Sequence, residues 1–489
     1  MVWRLAHAGC GIVVVSRQVN PMAVEPSLAF ASIRTLGRQL RAKRFTSLEL
    51  TEFFLDRLRR HGPRLNAVVT LTEEVARSQA RQADEELARG VDRGPLHGIP
   101  YGAKDLLATP GIPTSWGAAP LRDRILEDEA TVVRRLREAG AVLCAKLAMV
   151  EIAGGLGYDQ ANASFTGPGL NPWSTDRWSG GSSSGSGSAV GAGLVPMAIG
   201  SETWGSIMTP AGYCGVTGLR PTYGRVSRHG AMALSWTMDK LGCLTRTADD
   251  AGLVLNAIAG HDPNDPTSLR GTFTYRRLKP NRRWRLARLE GDVNRVQPEV
   301  KAAYEASLEI LKADADIETV KLPDLPYSLV ASVIINCEMA AAFEGLITSG
   351  DIWEMTAPED RIGAHAVQLI PAKDYINALR IRRKIQVTLD ELLQPYDALV
   401  IPTLATVASP INLDFATYHR GWGLPPLSGG ENAAGLPGVT IPNGFGADNL
   451  PTGLKFVGRA FSENRLLNLA RAYQERTTWH EEAPAEFKA

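Results

Sequence analysis

The chain has 489 residues, 44% hydrophobic and 21% charged, which is ordinary globular usage and excludes disorder, collagen and coiled coil. Lys and Arg number 53 against 52 Asp and Glu, and a net charge of +1 argues against a protein built around nucleic acid. No apolar run approaches the ~18 residues of a membrane span, so no membrane partner is expected.

Residues 1–25 read as a disordered extension. Their apolar stretch at 12–15 is too short for a signal peptide, and Met22 is a candidate start. Ser47 is expected to cap a helix over 47–61, where Leu48, Leu50, Phe53, Phe54 and Leu58 recur at helical spacing. A second helix is expected over 73–89. Residues 94–104 are punctuated by Gly and Pro. A helix over 130–139 then precedes a buried strand over 141–146. Later strand-like runs are 195–200, 398–401, 439–441 and 453–457. Helical patterns cover 247–259, 299–313, 328–343, 372–393 and 463–472. This alternation predicts the α/β class. Residues 262–283, rich in Pro, Asn and Arg, are the best internal linker. The basic stretch 276–288 alternates with Leu278, Trp284 and Leu286 and reads as a solvated loop leading into a strand.

Five cysteines, Cys10, Cys144, Cys214, Cys243 and Cys337, are widely spaced without a Cys-x-x-Cys, so neither a disulfide framework nor a zinc ribbon is indicated. Free thiols in a reducing cytosol are the simplest reading. The eight histidines have no metal-ligand spacing, and no metal or cofactor is expected.

Glycine is the one unusual count, at 47 residues. Segment 179–218 holds 11 of them and segment 421–446 holds 8. Residues 179–188 are all Ser or Gly and run into the apolar stretch 189–199. A flexible linker would not press against a core, so this run marks close backbone approach. It is not a phosphate loop, because the chain has no Gly-Lys dipeptide, and the dinucleotide fingerprint fails at Val190. Ser183 sits in a Gly-x-Ser-x-Gly match, but no buried strand is expected before it, as a nucleophile elbow requires. A serine activated by a neutral lysine remains. Such a lysine must lie in an apolar, Gly-bounded segment, and Lys104 in Gly98-Ile99-Pro100-Tyr101-Gly102-Ala103-Lys104 does.

These residues resemble the amidase signature family. The resemblance rests on Gly180-Gly181-Ser182-Ser183, Gly205-Ser206-Ile207, Pro210 and Gly218-Leu219-Arg220-Pro221-Thr222. It extends to Lys146 and Met149, to Asn171-Pro172-Trp173, to Leu436-Pro437-Gly438 and to Pro451-Thr452-Gly453-Leu454. It covers roughly residues 40–480 and is similar to free-standing amidases related to the glutamine-hydrolysing component of tRNA-dependent amidotransferases. The resemblance implies a single large α/β domain over 26–489, with a mixed central sheet covered by helices. Within it the signature core spans about 95–260, pocket helices about 325–395, and a C-terminal sheet and helix segment about 396–480.

The resemblance further implies Ser206 as nucleophile, Ser182 as bridging serine after a cis peptide bond, and Lys104 as base. It implies an oxyanion hole of backbone donors at Thr203, Trp204 and Gly205, leading into Ser206. Substrate-pocket candidates are Leu156, Gly157, Tyr158 and Trp116, with Trp204 as a further wall. Three positions depart from the usual family pattern: Trp204 for Gly, Met208 for Arg and Glu202 for Asp. The loss of Arg favours uncharged substrates, and Glu202 reads as a hydrogen-bond partner, not a base. The Tyr- and Asp-bearing motif with which the amidotransferase members hold glutamine is not evident in 421–446, which is expected to wall the substrate site instead. The implied activity is hydrolysis of small apolar or aromatic amides, with esters and carbamates using the same acyl chemistry. A glutamine-hydrolysing component of a tRNA-dependent amidotransferase is the alternative. A cysteine nucleophile at Cys144 or Cys214 is disfavoured by their apolar surroundings. A cytoplasmic monomer or homodimer with a small-molecule substrate is expected.

Overall fold

Short apolar runs bounded by Gly and Pro become the strands of one mixed sheet. The structure, a computed structural model, describes residues 24–278, 281–423 and 427–488. All but the last two residues of the extension predicted over 1–25 therefore lie outside the described residues.

In chain order the strands are β1 (Val68–Leu71), β2 (Pro100–Lys104), β3 (Val142–Leu147), β4 (Leu170–Asn171), β5 (Ser174–Trp178), β6 (Met197–Glu202), β7 (Thr217–Arg220), β8 (Lys240–Thr245), β9 (Trp284–Leu289), β10 (Ala315–Val320), β11 (Ala398–Pro402), β12 (Gly438–Phe445) and β13 (Pro451–Val457). Eleven form the central sheet, ordered β1-β3-β2-β6-β8-β7-β12-β13-β11-β9-β10; β4 and β5 pair separately. β3, β2 and β6 run parallel, as do β11, β9 and β10, while the strands between are antiparallel. All strands of this sheet before residue 246 lie on one side of the seam between β7 and β12, and all strands after it lie on the other. At the seam Gly438 pairs with Arg220 and Thr440 with Gly218.

Helices cover the sheet, so the central strands β2, β3, β6, β8 and β13 are buried throughout. Strands buried on both faces lose the alternating pattern. The runs at 141–146 and 453–457 were therefore readable, whereas β8, with Lys240 and Gly242 in it, was not. The helix Ser47–His61 is capped one residue earlier than expected: Thr46 and Glu49 form a reciprocal capping box, and Ser47 is its first helical residue. Helices at Glu73–Ala88, Pro298–Leu311, Tyr327–Ala342, Ala372–Leu393 and Glu463–Gln474 follow the apolar periodicity within a few residues.

The second half of the Ser/Gly run opens a buried helix, Ser184–Gly191. Ser and Gly are poor helix formers, and each Gly costs about 1 kcal/mol against Ala. Here their small size permits close packing. A Cβ on Gly185 would lie 2.4 Å from the Ala67 carbonyl oxygen and 2.5 Å from Ala148 N. Ser186 and Ser188 donate to the carbonyls of Ile199 and Leu170 at 3.1 and 2.7 Å, which satisfies their buried hydroxyls. The segment before the run, 170–178, is a half-exposed hairpin, not the buried strand an elbow needs. The predicted linker is pinned rather than loose: Asp262 accepts from Ser227 Oγ at 2.6 Å and from Thr131 Oγ1. The basic stretch enters β9 at Trp284, as expected. Among the described residues no helix is long and apolar enough to cross a membrane.

Candidate active site

Two lysines lie near the ends of parallel β2 and β3, offset by one residue because Lys146 pairs with Ala103 and Lys104 with Leu147, and their surroundings differ. Lys146 on β3 is fully buried with an ion-pair partner, Asp105, at 3.1 Å. Lys104 ends β2, is also fully buried, and has no carboxylate within ion-pair distance among the described residues. Its Nζ meets two hydroxyls instead, Ser182 Oγ at 2.8 Å and Ser201 Oγ at 2.9 Å. Burial pushes the Lys104 ammonium down to about 7, against the weaker opposing pull of Asp239 and Glu202. A neutral amine aimed at a hydroxyl can accept its proton.

Ser182 follows a cis peptide bond after Gly181, and its carbonyl accepts from Val150 N at 3.0 Å. Ser206 lies on the loop between β6 and the helix Met208–Cys214, and Ser183 N donates to its carbonyl at 3.2 Å. The hydroxyl chain runs from Lys104 to Ser182; Ser206 Oγ has no hydrogen-bond partner among the described residues. Substrate-free sites commonly hold such contacts open until the Michaelis complex forms.

The loop 203–206 is held from beneath. The Glu202 carboxylate accepts from Ile207 N at 2.8 Å, Met208 N at 3.0 Å and Arg220 at 2.8 Å. Burial alone would raise its pKa; Arg220 and these donors overcome that and hold it at about 2. A carboxylate so committed, and held this far below neutrality, is a structural anchor and a poor base. Arg220 continues to Glu431 at 3.3 Å, and Glu431 to Lys455, so an ion network crosses the seam between β7 and β12. The left-handed turn of the loop falls on Gly205, with φ +86°, so Trp204 is spared that conformation and tolerates its bulk. Trp204 is half-buried and packs against the apolar cluster that contains Met238, Tyr327 and Leu427. Met208 is buried, and its sulfur accepts from Thr440 Oγ1 at 3.1 Å.

A cavity of about 180 Å³ adjoins the site: Ser201 and Thr203 line it, whereas Lys104, Ser182 and Ser206 do not. Leu106, Met232, Leu234, Trp236 and Leu241 give it apolar walls, while Asp239, Asp265 and Arg228 are its charged lining, with His229 beside them. None of the four pocket candidates lines it. Trp116 stacks edge-on to Phe343 at 6.4 Å between ring centres. Leu156 is buried, and its N–H points at the Met339 sulfur at 3.0 Å. Gly157 neighbours it with φ +114°. Tyr158 stands on the other flank, its ring against Trp178 and Phe415 and its hydroxyl 3.4 Å from where a Gly181 Cβ would lie. The described residues of 421–446 do not reach the cavity either; part of that segment, 424–426, lies outside the described residues. What 421–446 supplies is Glu431 of the ion network.

Sequence reading missed Ser201, Asp239 and Lys240. The charged pair Asp239-Lys240 inside the otherwise apolar run 231–244 was the available signal. Cys144 and Cys214 are fully buried, and burial raises both thiols far above neutrality, which leaves them unreactive.

The sequence pattern of the family described as Amidase matches residues 49–467. The A-type chain of the glutamyl-tRNA(Gln) amidotransferase of Thermosynechococcus vestitus is 35% identical over 480 residues, covering 92% of this chain and 99% of that protein. The native peptide amidase of Stenotrophomonas maltophilia superposes with a TM-score of 0.82 at 32% identity, covering 93% of this chain and 98% of that one. The corresponding glutamyl-tRNA(Gln) amidotransferase chain of Thermotoga maritima superposes with a TM-score of 0.76 at 28% identity, covering 93% and 97%.

Proposed function

The chain belongs to the amidase signature family, hydrolases of carbon–nitrogen bonds, and on that premise we propose that it hydrolyses small apolar or aromatic amides through Ser206, Ser182 and Lys104. The observation that carries this reading is Lys104: fully buried, without a carboxylate partner, held near neutrality, and hydrogen-bonded to Ser182. Ser206 Oγ attacks the amide carbon while its proton passes through Ser182 Oγ to Lys104 Nζ. The carbonyl oxygen becomes an oxyanion, met by backbone N–H groups of the loop Thr203, Trp204, Gly205 and Ser206. Collapse breaks the C–N bond, and the proton returns by the same path to the leaving amine. Water then repeats the sequence on the acyl-enzyme, releasing the acid and restoring the serine.

Apolar cavity walls support an uncharged acyl or leaving group, and esters and carbamates are admitted by the same chemistry. A panel of p-nitroacetanilide, an aliphatic amide, a carbamate, an ester and glutamine tests this. Turnover of the first two ahead of glutamine by the protein purified alone is the expected result. The second reading is the glutamine-hydrolysing component of an amidotransferase, favoured by 35% identity to the Thermosynechococcus vestitus protein along nearly the whole chain. Glutamine as the sole substrate, with activity only in the presence of a partner protein, would establish that reading in place of the first.

A further inference from the structure

We propose that Asp239 is a positioning residue that joins the wall of the substrate cavity to the oxyanion loop, an inference that rests on the Ser206 mechanism above. Asp239 is buried just before β8 and faces the cavity. One carboxylate oxygen accepts the Thr203 hydroxyl at 2.6 Å. The other accepts Leu234 N at 2.8 Å and Ser235 N at 2.9 Å. Leu234 is a cavity wall, and Thr203 opens the loop that meets the oxyanion, so one side chain spans both.

The next residue grips the same loop from the other side. Lys240 Nζ donates to the Thr203 carbonyl at 3.4 Å and to the Met238 carbonyl. The Thr203 carbonyl and the Trp204 N–H belong to one planar peptide unit, so fixing the first aims the second. The amine donates to that carbonyl whether protonated or neutral, so the grip does not depend on its charge. A substrate group that displaces Leu234 therefore moves the anchor of the Trp204 donor. Cavity occupancy and oxyanion geometry are mechanically linked through Asp239.

The charge of Asp239 gives the idea a separate readout. Asp239 acts on Lys104 and Lys240, and Arg228 acts on it; Glu202 is the other acid acting on Lys104, and His229 and Asp265 line the same cavity. The Asp239 carboxylate favours the ammonium form of Lys104. Its removal makes Lys104 easier to deprotonate, which moves the acid limb of the rate profile to lower pH. A carboxylate that merely stabilised the 234–239 turn would lower thermal stability when removed and leave kcat of Thr203→Val at the parent's value.

The test measures kcat, KM and pH profiles for p-nitroacetanilide in the parent, Asp239→Asn, Thr203→Val and Ser206→Ala. Asp239→Asn is expected to lose about 10- to 100-fold in kcat, below the loss of a direct oxyanion donor, with KM changed less than about threefold. Its acid limb moves down by about half a pH unit or more. Thr203→Val removes the same hydrogen bond from its other end and keeps the charge, so kcat falls similarly while the limb stays. It also decides the case should Asp239→Asn fail to fold. Parent-like kcat in Thr203→Val, or an unmoved limb in Asp239→Asn, overturns the inference while an inactive Ser206→Ala leaves the mechanism standing. Turnover by Ser206→Ala overturns both.

Discussion

Replacing Lys104 with Met is expected to make the protein inactive and, at neutral pH, more stable. Lys104 is wholly buried, and its ammonium falls from an ordinary 10.5 to about 7. Below pH 7 both folded and unfolded chains carry the proton, and the fold bears the full penalty. Between about 7 and 10.5 only the unfolded chain binds it, so stability rises with pH through that window and the penalty vanishes above it. At 1.36 kcal/mol per pH unit the penalty is about 4 kcal/mol at pH 7 and about 1 kcal/mol at pH 10. Met escapes it but forfeits the two hydrogen bonds to Ser182 and Ser201, together about 2 kcal/mol. Lys104→Met is therefore about 2 kcal/mol more stable than the parent at pH 7 and about 1 kcal/mol less stable at pH 10. Urea unfolding of both proteins at pH 7, 8, 9 and 10 reads this directly, because Lys146, Lys240 and the other buried groups are common to both. A stability difference that stays level across that range refutes the claim that Lys104 is neutral in the folded protein near pH 7.

Other substitutions probe separate parts of the site. Ser206→Ala should abolish turnover of p-nitroacetanilide with an unchanged circular dichroism spectrum; residual activity above about a thousandth of the parent would remove Ser206 as nucleophile. In the parent, the rate should rise with pH through about 7 as Lys104 loses its proton, and Lys104→Ala should lack that limb. Gly185→Ala pushes a methyl into the Ala67 carbonyl and should cost about 1–3 kcal/mol in urea unfolding. Met208→Arg, which restores the usual family residue, should destabilise the protein by a similar amount or more. Arg220 already neutralises Glu202, so the new guanidinium would be a buried charge without a partner; a gain in stability would show that the pairing is incomplete.

The meeting of Lys104 with Ser182 was easier to read from sequence than the lining of the cavity. Lys104, Ser182 and Ser206 lie in short segments whose residue types are dictated by local geometry: a buried strand end, a Gly-Gly-Ser turn and a left-handed Gly205. Such constraints leave their mark within a few neighbouring residues. Asp239 and Ser201 acquire their contacts from strand pairing: β8 sets Lys240 opposite Glu202 and so Asp239 beside Thr203, while β6 beside β2 brings Ser201 to Lys104. That register is a long-range fact. The four pocket candidates show the same limit, because aromatic and apolar side chains pack equally well into a core or along a cleft. The helical periodicity was legible in Ala372–Leu393 and in the largely buried Ala248–Ile258, and was hidden in Ser184–Gly191, where Ser and Gly replace the apolar residues that carry it.

The seam in the sheet orders events in time. Every group assigned to the chemistry, from Lys104 to Lys240, is translated before the first strand of the second half, β9. When residue 283 leaves the ribosome, six strands of the central sheet are complete and β7 is an open edge. Arg220 then has Glu202 but not Glu431. The nascent half-protein would thus hold its serines and lysine on a sheet with an unpaired border, a surface prone to joining another chain. Only when β12 adds to that border, and Glu431 and Lys455 arrive with it, is the base of the nucleophile loop electrically complete. Co-expression of the chain as two pieces divided within 262–278 should therefore yield activity only when both pieces meet. The segment that sequence marked as a linker, pinned at Asp262 but lying between the two halves of the sheet, is then a place where the protein can be assembled from parts.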